Sequence, residues 1–142
     1  MGPLTLSYEY FEHQADIGIR GKGRTLAEAF EQAALAMFEI MVETKDLQIG
    51  RSQLVEVEGN DLSELLIAWL SELLFLKDVE GKMFSRFEIK SIDKNKLAAK
   101  VYGEPIDSSR HKLKLEVKAA TYTQLFVEKK DDEWIAQCLV DV

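Results

Sequence analysis

The chain is poor in the residues that most often mark a site or a compartment. It has one cysteine, Cys138, and two histidines, His13 and His111, in 142 residues. A single thiol excludes an internal disulfide and points to a reducing compartment, so a cytoplasmic location is expected. No His-x3-His or Cys-x2-Cys spacing occurs, which leaves a zinc site without support, and no Gly-x-Ser-x-Gly elbow marks a serine hydrolase. Long hydrophobic runs are also missing. The longest, Leu65 to Leu70, falls far short of the roughly 20 residues a membrane span needs. The N-terminus lacks the basic region and apolar run of a signal peptide, and Leu6 stands where a myristoylation signal requires Ser or Thr. There is no basic excess either. Asp and Glu number 25 against 18 Lys and Arg, for a net charge of −7. That balance disfavours strong direct binding to RNA or DNA phosphates and suits a protein partner or a cation.

What is present is enough for a packed interior: 46% of the residues are apolar. Tyr8 to Ile19 reads as an extended opening, with turn chemistry expected at Gly18, Gly21 and Gly23. Thr25 and Glu28 form a capping box, and Ala29, Phe30, Ala33, Met37, Phe38 and Met41 recur at helical spacing. This predicts a helix over about 25–43. Asp61 caps a second helix over about 61–78, whose apolar face includes Leu65, Leu66, Trp69, Leu70, Leu73 and Leu74, with Gly81 as the stop. Both apolar faces read as core-directed. Leu54 to Glu58 alternates as a strand between the helices. After them, strands are expected over Phe84 to Ile92, Leu97 to Tyr102, Leu113 to Ala119, Leu125 to Lys129 and Trp134 to Val140, with turns at Asp93 to Asn95 and at Asp131 and Asp132. The pattern predicts a single α+β domain spanning 1–142: a mainly antiparallel sheet with two helices.

One stretch, Gly18 to Thr25, nearly matches a phosphate-cradling loop, with Arg24 in the lysine position. That chemistry needs a buried parallel strand before the loop, and Tyr8 to Asp16 is too polar to be one, so a glycine turn leading to a helix cap is the simpler reading. Cys138, in an apolar strand end, reads as a buried structural thiol. Trp69 reads as core and Trp134 as packed beside its hairpin. Asp78, Glu80, Asp131 and Asp132 read as solvated acids beside turns, without the spacing of a calcium loop.

The two ends of the chain are more specific. Asp16 lies in Glu12-His13-Gln14-Ala15-Asp16-Ile17-Gly18, and the sequence stops on Asp141-Val142 directly after an apolar strand. If the terminal strand lies beside the first, the carboxylates of Asp16 and Asp141 and the α-carboxylate of Val142 converge. Such a cluster repels itself unless it is protonated or holds a cation, and hard oxygen donors suit Ca²⁺, Mg²⁺ or Mn²⁺. The plainer alternative is an Asp that holds a turn and an ordinary C-terminus.

The chain resembles the archease family. The resemblance rests on Tyr10-Phe11-Glu12-His13 through Asp16-Ile17-Gly18, then Thr25-Leu26-x-Glu28-Ala29-Phe30, Glu80-Gly81-x-x-Phe84 and Tyr102-Gly103-Glu104. It continues with His111, Glu116-Val117-Lys118-Ala119, Thr121-Tyr122, and Trp134-x-Ala136-Gln137 running to the terminal Asp141 and an apolar residue. Gln14 and Thr123 depart from the residues usual in the family, Thr and His respectively. The resemblance implies a non-catalytic accessory protein of the tRNA-splicing RNA ligase, one that promotes GTP-dependent guanylylation of the ligase and multiple turnover. It implies metal ligands at Asp16, Asp141 and Val142, with Ca²⁺ the usual ion, and it marks His13 and Lys118 as residues beside the metal or the partner. Two other classes are open: a chaperone-like interaction module, which needs an exposed apolar surface, and a metal-dependent hydrolase, for which no nucleophile or general base stands out.

Overall fold

The computed structural model describes residues 7–13 and 16–142, apart from the side chains of Glu12 and His13. Eight strands and two helices follow one another as β1 (Tyr8–His13), β2 (Asp16–Gly23), α1 (Leu26–Met41), β3 (Ser52–Glu58), α2 (Leu62–Glu80), β4 (Lys82–Ile92), β5 (Lys96–Pro105), β6 (Ala119–Ala120), β7 (Phe126–Lys130) and β8 (Glu133–Asp141), with a 3₁₀ turn at Thr44–Asp46. All strand pairs are antiparallel. The first sheet runs β1-β2-β8-β6, with β7 also on β8, and the second runs β3-β5-β4. The expected α+β class and both helices hold.

Each helix starts where its cap chemistry dictates. The Thr25 hydroxyl accepts the Glu28 amide at 3.1 Å, and the Glu28 carboxylate reaches back to the Arg24 amide at 2.8 Å. Asp61 accepts the Glu64 amide at 2.8 Å, and α2 ends on Gly81, whose left-handed φ of 63° lets its N–H bond the Lys77 carbonyl. Helix α1 packs on β2 and β8 of the first sheet and on β4 of the second, so it is buried on more than one side. Phe38 meets Phe84 and Phe87, each with ring centroids 5.6 Å apart. Trp69 is fully buried and donates its indole N–H to the Phe30 carbonyl at 3.0 Å, which ties α2 to α1. Burying rings and branched chains of this kind is worth about 1.5–3 kcal/mol each.

Two expectations need correction. Gly18, Gly21 and Gly23 do not make turns; they lie within β2. Gly21 allows the backbone of α1 to rest on the strand, because a Cβ there would overlap the Ala29 carbonyl and the Ala33 amide. Gly18 is covered by the Phe11 ring in the same way. The near-match to a phosphate loop is therefore an inner strand that pairs along its length with β1 and β8. Leu113 to Ala119 is not a strand apart from its last residue. It is a strap across the end of α1: the amides of Lys114 and Leu115 donate to the Met41 and Ile40 carbonyls at 2.9 and 3.2 Å, groups the helix itself leaves without donors. The apolar face of α2 read from the sequence is core-directed as expected, with Leu65, Leu66, Trp69, Leu70, Leu73 and Leu74 buried, while Phe75 and Val79, outside that face, are 57% and 65% exposed.

Candidate metal site at the chain ends

β8 is central to the first sheet, and its last residues are held on both sides. Asp16, the first residue of β2, pairs directly with Asp141, and Ala119 pairs with Asp141 on the other side. The Lys118 amide donates to the Asp141 carbonyl at 2.8 Å. Val142 packs partly buried against the core. Two residues whose positions differ by most of the chain therefore share one rung.

The faces follow from alternation. Ile19, Cys138 and Val140 are fully buried, and Ile17 packs beside them, all toward the core. Asp16 and Asp141 take the opposite face, and directly opposed side chains in such a pair have Cβ atoms about 5 Å apart. Like charges facing each other across a rung destabilise the sheet. Among the described residues no Lys or Arg forms an ion pair with either aspartate. The next cation on this face is already engaged: Arg20 bonds the Gln137 side chain at 2.7 Å and Glu9 at 2.8 Å, and its guanidinium lies 5.2 Å from the Phe11 ring centre.

This donor set fits a hard cation. It offers only carboxylate oxygens, with no thiolate or imidazole among the described residues beside them. Among those residues no group of three or more His, Cys, Asp or Glu side chains gathers. Among the described residues the side-chain donors on this rung are thus two, Asp16 and Asp141. The side chain of His13 lies outside the described residues. Lys118 is exposed beside the pair, and only its backbone is bonded to it.

Other candidates resolve simply. Cys138 is fully buried, and burial pushes its thiol up to about 12, so it stays protonated and inert. Trp134 packs partly buried against the core. The spacing of charged residues did not predict a polar cluster formed by Glu104, Arg110 and His111. Glu104, on β5, accepts the Gln48 amide at 2.7 Å and also the side chains of Arg110 and His111. The Asp107 amide donates to His111 Nδ1 at 3.0 Å, which places the ring proton on Nε2, facing Glu104. The only signal in the sequence was the co-occurrence of Glu104 and His111 in the family pattern.

The comparisons with known proteins agree with this architecture. Residues 8–142 match the profile of the "Archease protein family (MTH1598/TM1083)". The chain belongs to the archease family. A protein archease of Pyrococcus abyssi is 46% identical over 140 residues, covering 95% of this chain and 98% of that protein. One from Sulfurisphaera tokodaii is 41% identical over 136 residues, covering 95% and 98%. The solution structure of Methanobacterium thermoautotrophicum protein 1598 superposes with a TM-score of 0.80 at 33% identity, over 97% of this chain and 100% of that one. A Thermotoga maritima archease, described as a possible chaperone, gives 0.61 at 17% identity over 93% and 94%, and shares the fold. No described helix is long and apolar enough to cross a membrane.

Proposed function

We propose that this archease is a non-catalytic accessory protein of the tRNA-splicing RNA ligase, acting in the cytoplasm through a divalent cation held by Asp16, Asp141 and the carboxylate of Val142. The observation that carries the reading is the rung on which Asp16 and Asp141 oppose each other, with no cationic side chain among the described residues bound to either. Ca²⁺ is the expected ion, with Mg²⁺ or Mn²⁺ as substitutes of the same hard character. A bound cation supplies local positive charge, able to attract anionic oxygens and to offset charge developing during nucleotidyl transfer.

The chain's own residues define the rest. The two strand backbones hold the aspartates at fixed positions, and the packed Val142 side chain anchors the terminal carboxylate. Three protein carboxylates, each bound through one oxygen, would leave a Ca²⁺ ion positions for water or for oxygens of a partner. The net charge of −7 suits the basic surface of an RNA-binding ligase. Lys118, exposed beside the site, is placed to meet an anionic group there.

The test is guanylylation of the cognate ligase by GTP with and without this protein. Stimulation is expected from the native chain and its loss from Asp16→Asn, with the far-ultraviolet spectrum unchanged. Equal stimulation by the variant contradicts the metal assignment, and no stimulation by the native chain contradicts the function. The exposed Phe75 and Val79 favour a second reading, a chaperone-like interaction module. That reading predicts suppression of aggregation of unrelated clients, insensitive to Asp16→Asn.

A further inference from the structure

β1 is the end strand of the first sheet, with β2 on one side only. The bonding phase of its ladder follows from one contact: the Lys22 amide donates to the Ser7 carbonyl at 2.7 Å, on the rung before Tyr8 and Gly21. Hydrogen-bonded rungs alternate with non-bonded ones in an antiparallel pair. Glu9 and Phe11 therefore bond to β2, while the N–H and C=O groups of Tyr8 and Tyr10 point off the free edge. Among the described residues no backbone group of the chain bonds to them there. An end strand of this kind is a template for another strand.

A groove of about 650 Å³ runs beside this edge. Tyr8 and Tyr10 form one wall, Ile40 and Glu39 of α1 the floor, and Lys114 and Leu115 of the strap the other wall. Its apolar content is open to solvent, with Tyr10 45% and Leu115 55% exposed. The Tyr10 ring is also fixed, since its hydroxyl donates to the Ala36 carbonyl at 2.9 Å. The rim is mixed in charge: Lys114 is taken up by Glu43 at 3.0 Å and Glu39 at 3.5 Å, and Lys45 and Lys112 also act on Glu43. At its far end Ile17 lines the groove, next in sequence to Asp16.

We propose that the free edge of β1, together with this groove, accepts an extended segment of the basic partner protein, apolar at alternate positions, by β-strand addition. Main-chain bonds to Tyr8 and Tyr10 supply the register, and apolar side chains at alternate positions fill the space between Tyr10 and Leu115. The chain's net charge of −7 gives the charge complementarity to a basic partner. A second copy of this chain is the weaker occupant, because it would bring a further charge of −7. The proposal rests on the accessory-protein reading, since it places the partner ligase in the groove.

Amide hydrogen exchange of the full chain, alone and mixed with the purified cognate ligase, tests it. In the free protein the Glu9 and Phe11 amides are expected to be protected, and the Tyr8 and Tyr10 amides to exchange quickly. Addition of the ligase slows Tyr8 and Tyr10 by about tenfold or more. In a binding assay Tyr10→Pro, which removes an outward N–H and leaves the β1–β2 ladder intact, weakens the complex about tenfold or more, while Tyr10→Phe does not. A complex that stimulates guanylylation but leaves both amides unprotected, with Tyr10→Pro binding as the native chain does, overturns the edge proposal and spares the function. Absence of any complex overturns both. Protection that rises with protein concentration in the absence of ligase assigns the edge to a second copy and overturns the partner assignment.

Discussion

Glu104 and the pair Asp16–Asp141 are all carboxylates on sheet strands, and the fold serves them in opposite ways. Glu104 is 7% exposed and receives hydrogen bonds from the Gln48 amide, Arg110 and His111. Asp16 and Asp141 are half-buried, face each other on one rung, and have no cationic side chain bound to them among the described residues. A buried charge with donors on several sides is a structural device, holding the segments around Gln48 and His111 to β5. A pair of like charges left unneutralised stays unfavourable until something cationic arrives. The contrast separates a carboxylate that builds the protein from the two carboxylates proposed to hold a cation.

The largest effect that could break this contrast is expected at Glu104. Glu104→Ala takes the acceptor from the buried His111 N–H and from the Gln48 amide and should cost roughly 3 kcal/mol or more in urea unfolding, at about 1.5–3 kcal/mol for each hydrogen bond to a charged group. A loss below about 1 kcal/mol would remove the structural role. The same carboxyl sets a pH dependence. Burial pushes its pKa up, but the hydrogen bonds from Gln48, His111 and Arg110 outweigh burial and leave it below the ordinary value. Its contribution is therefore complete above the unfolded value of about 4.3 and disappears as pH falls through the lower folded value. Acid unfolding of Glu104→Gln should lack that component.

Next in size is the response to metal. Ca²⁺ at about 100 times its dissociation constant should stabilise the native chain by about 2.7 kcal/mol, reversed by a chelator, and should leave Asp16→Asn unmoved. The smallest effect has a telling sign. Without metal, Asp16→Asn removes a like-charge contact across the rung and should raise stability by about 0.2–1 kcal/mol, whereas substitution of Glu104 lowers it. A loss of stability in metal-free Asp16→Asn would mean that Asp16 is a structural residue like Glu104.

The sequence was most legible where the physics is local. Both helices start at the caps read from Thr25 and Asp61, and the second stops at Gly81, because a cap is a matter of residues three or four apart. The hairpin at Asp93 to Asn95 was equally plain: the Asp93 carboxylate accepts the Asn95 and Lys96 amides, each at 2.8 Å. What failed depends on distant partners. Gly21 looks like a turn residue until α1 is laid against it, and Leu113 to Ala119 alternates like a strand although its amides serve the end of a helix. The chain ends stood out as acidic positions, but their meeting is a rung between β2 and β8, set by pairing across nearly the whole sequence. Family resemblance named the two positions as ligands and left their convergence open; the pairing of β2 with β8 supplies it.

Calorimetric titration of Ca²⁺ into the metal-free native chain and into Asp16→Asn tests the central claim most directly. The account predicts one ion bound per native chain and none by the variant. Equal binding by the two, or no binding by the native chain, would contradict it.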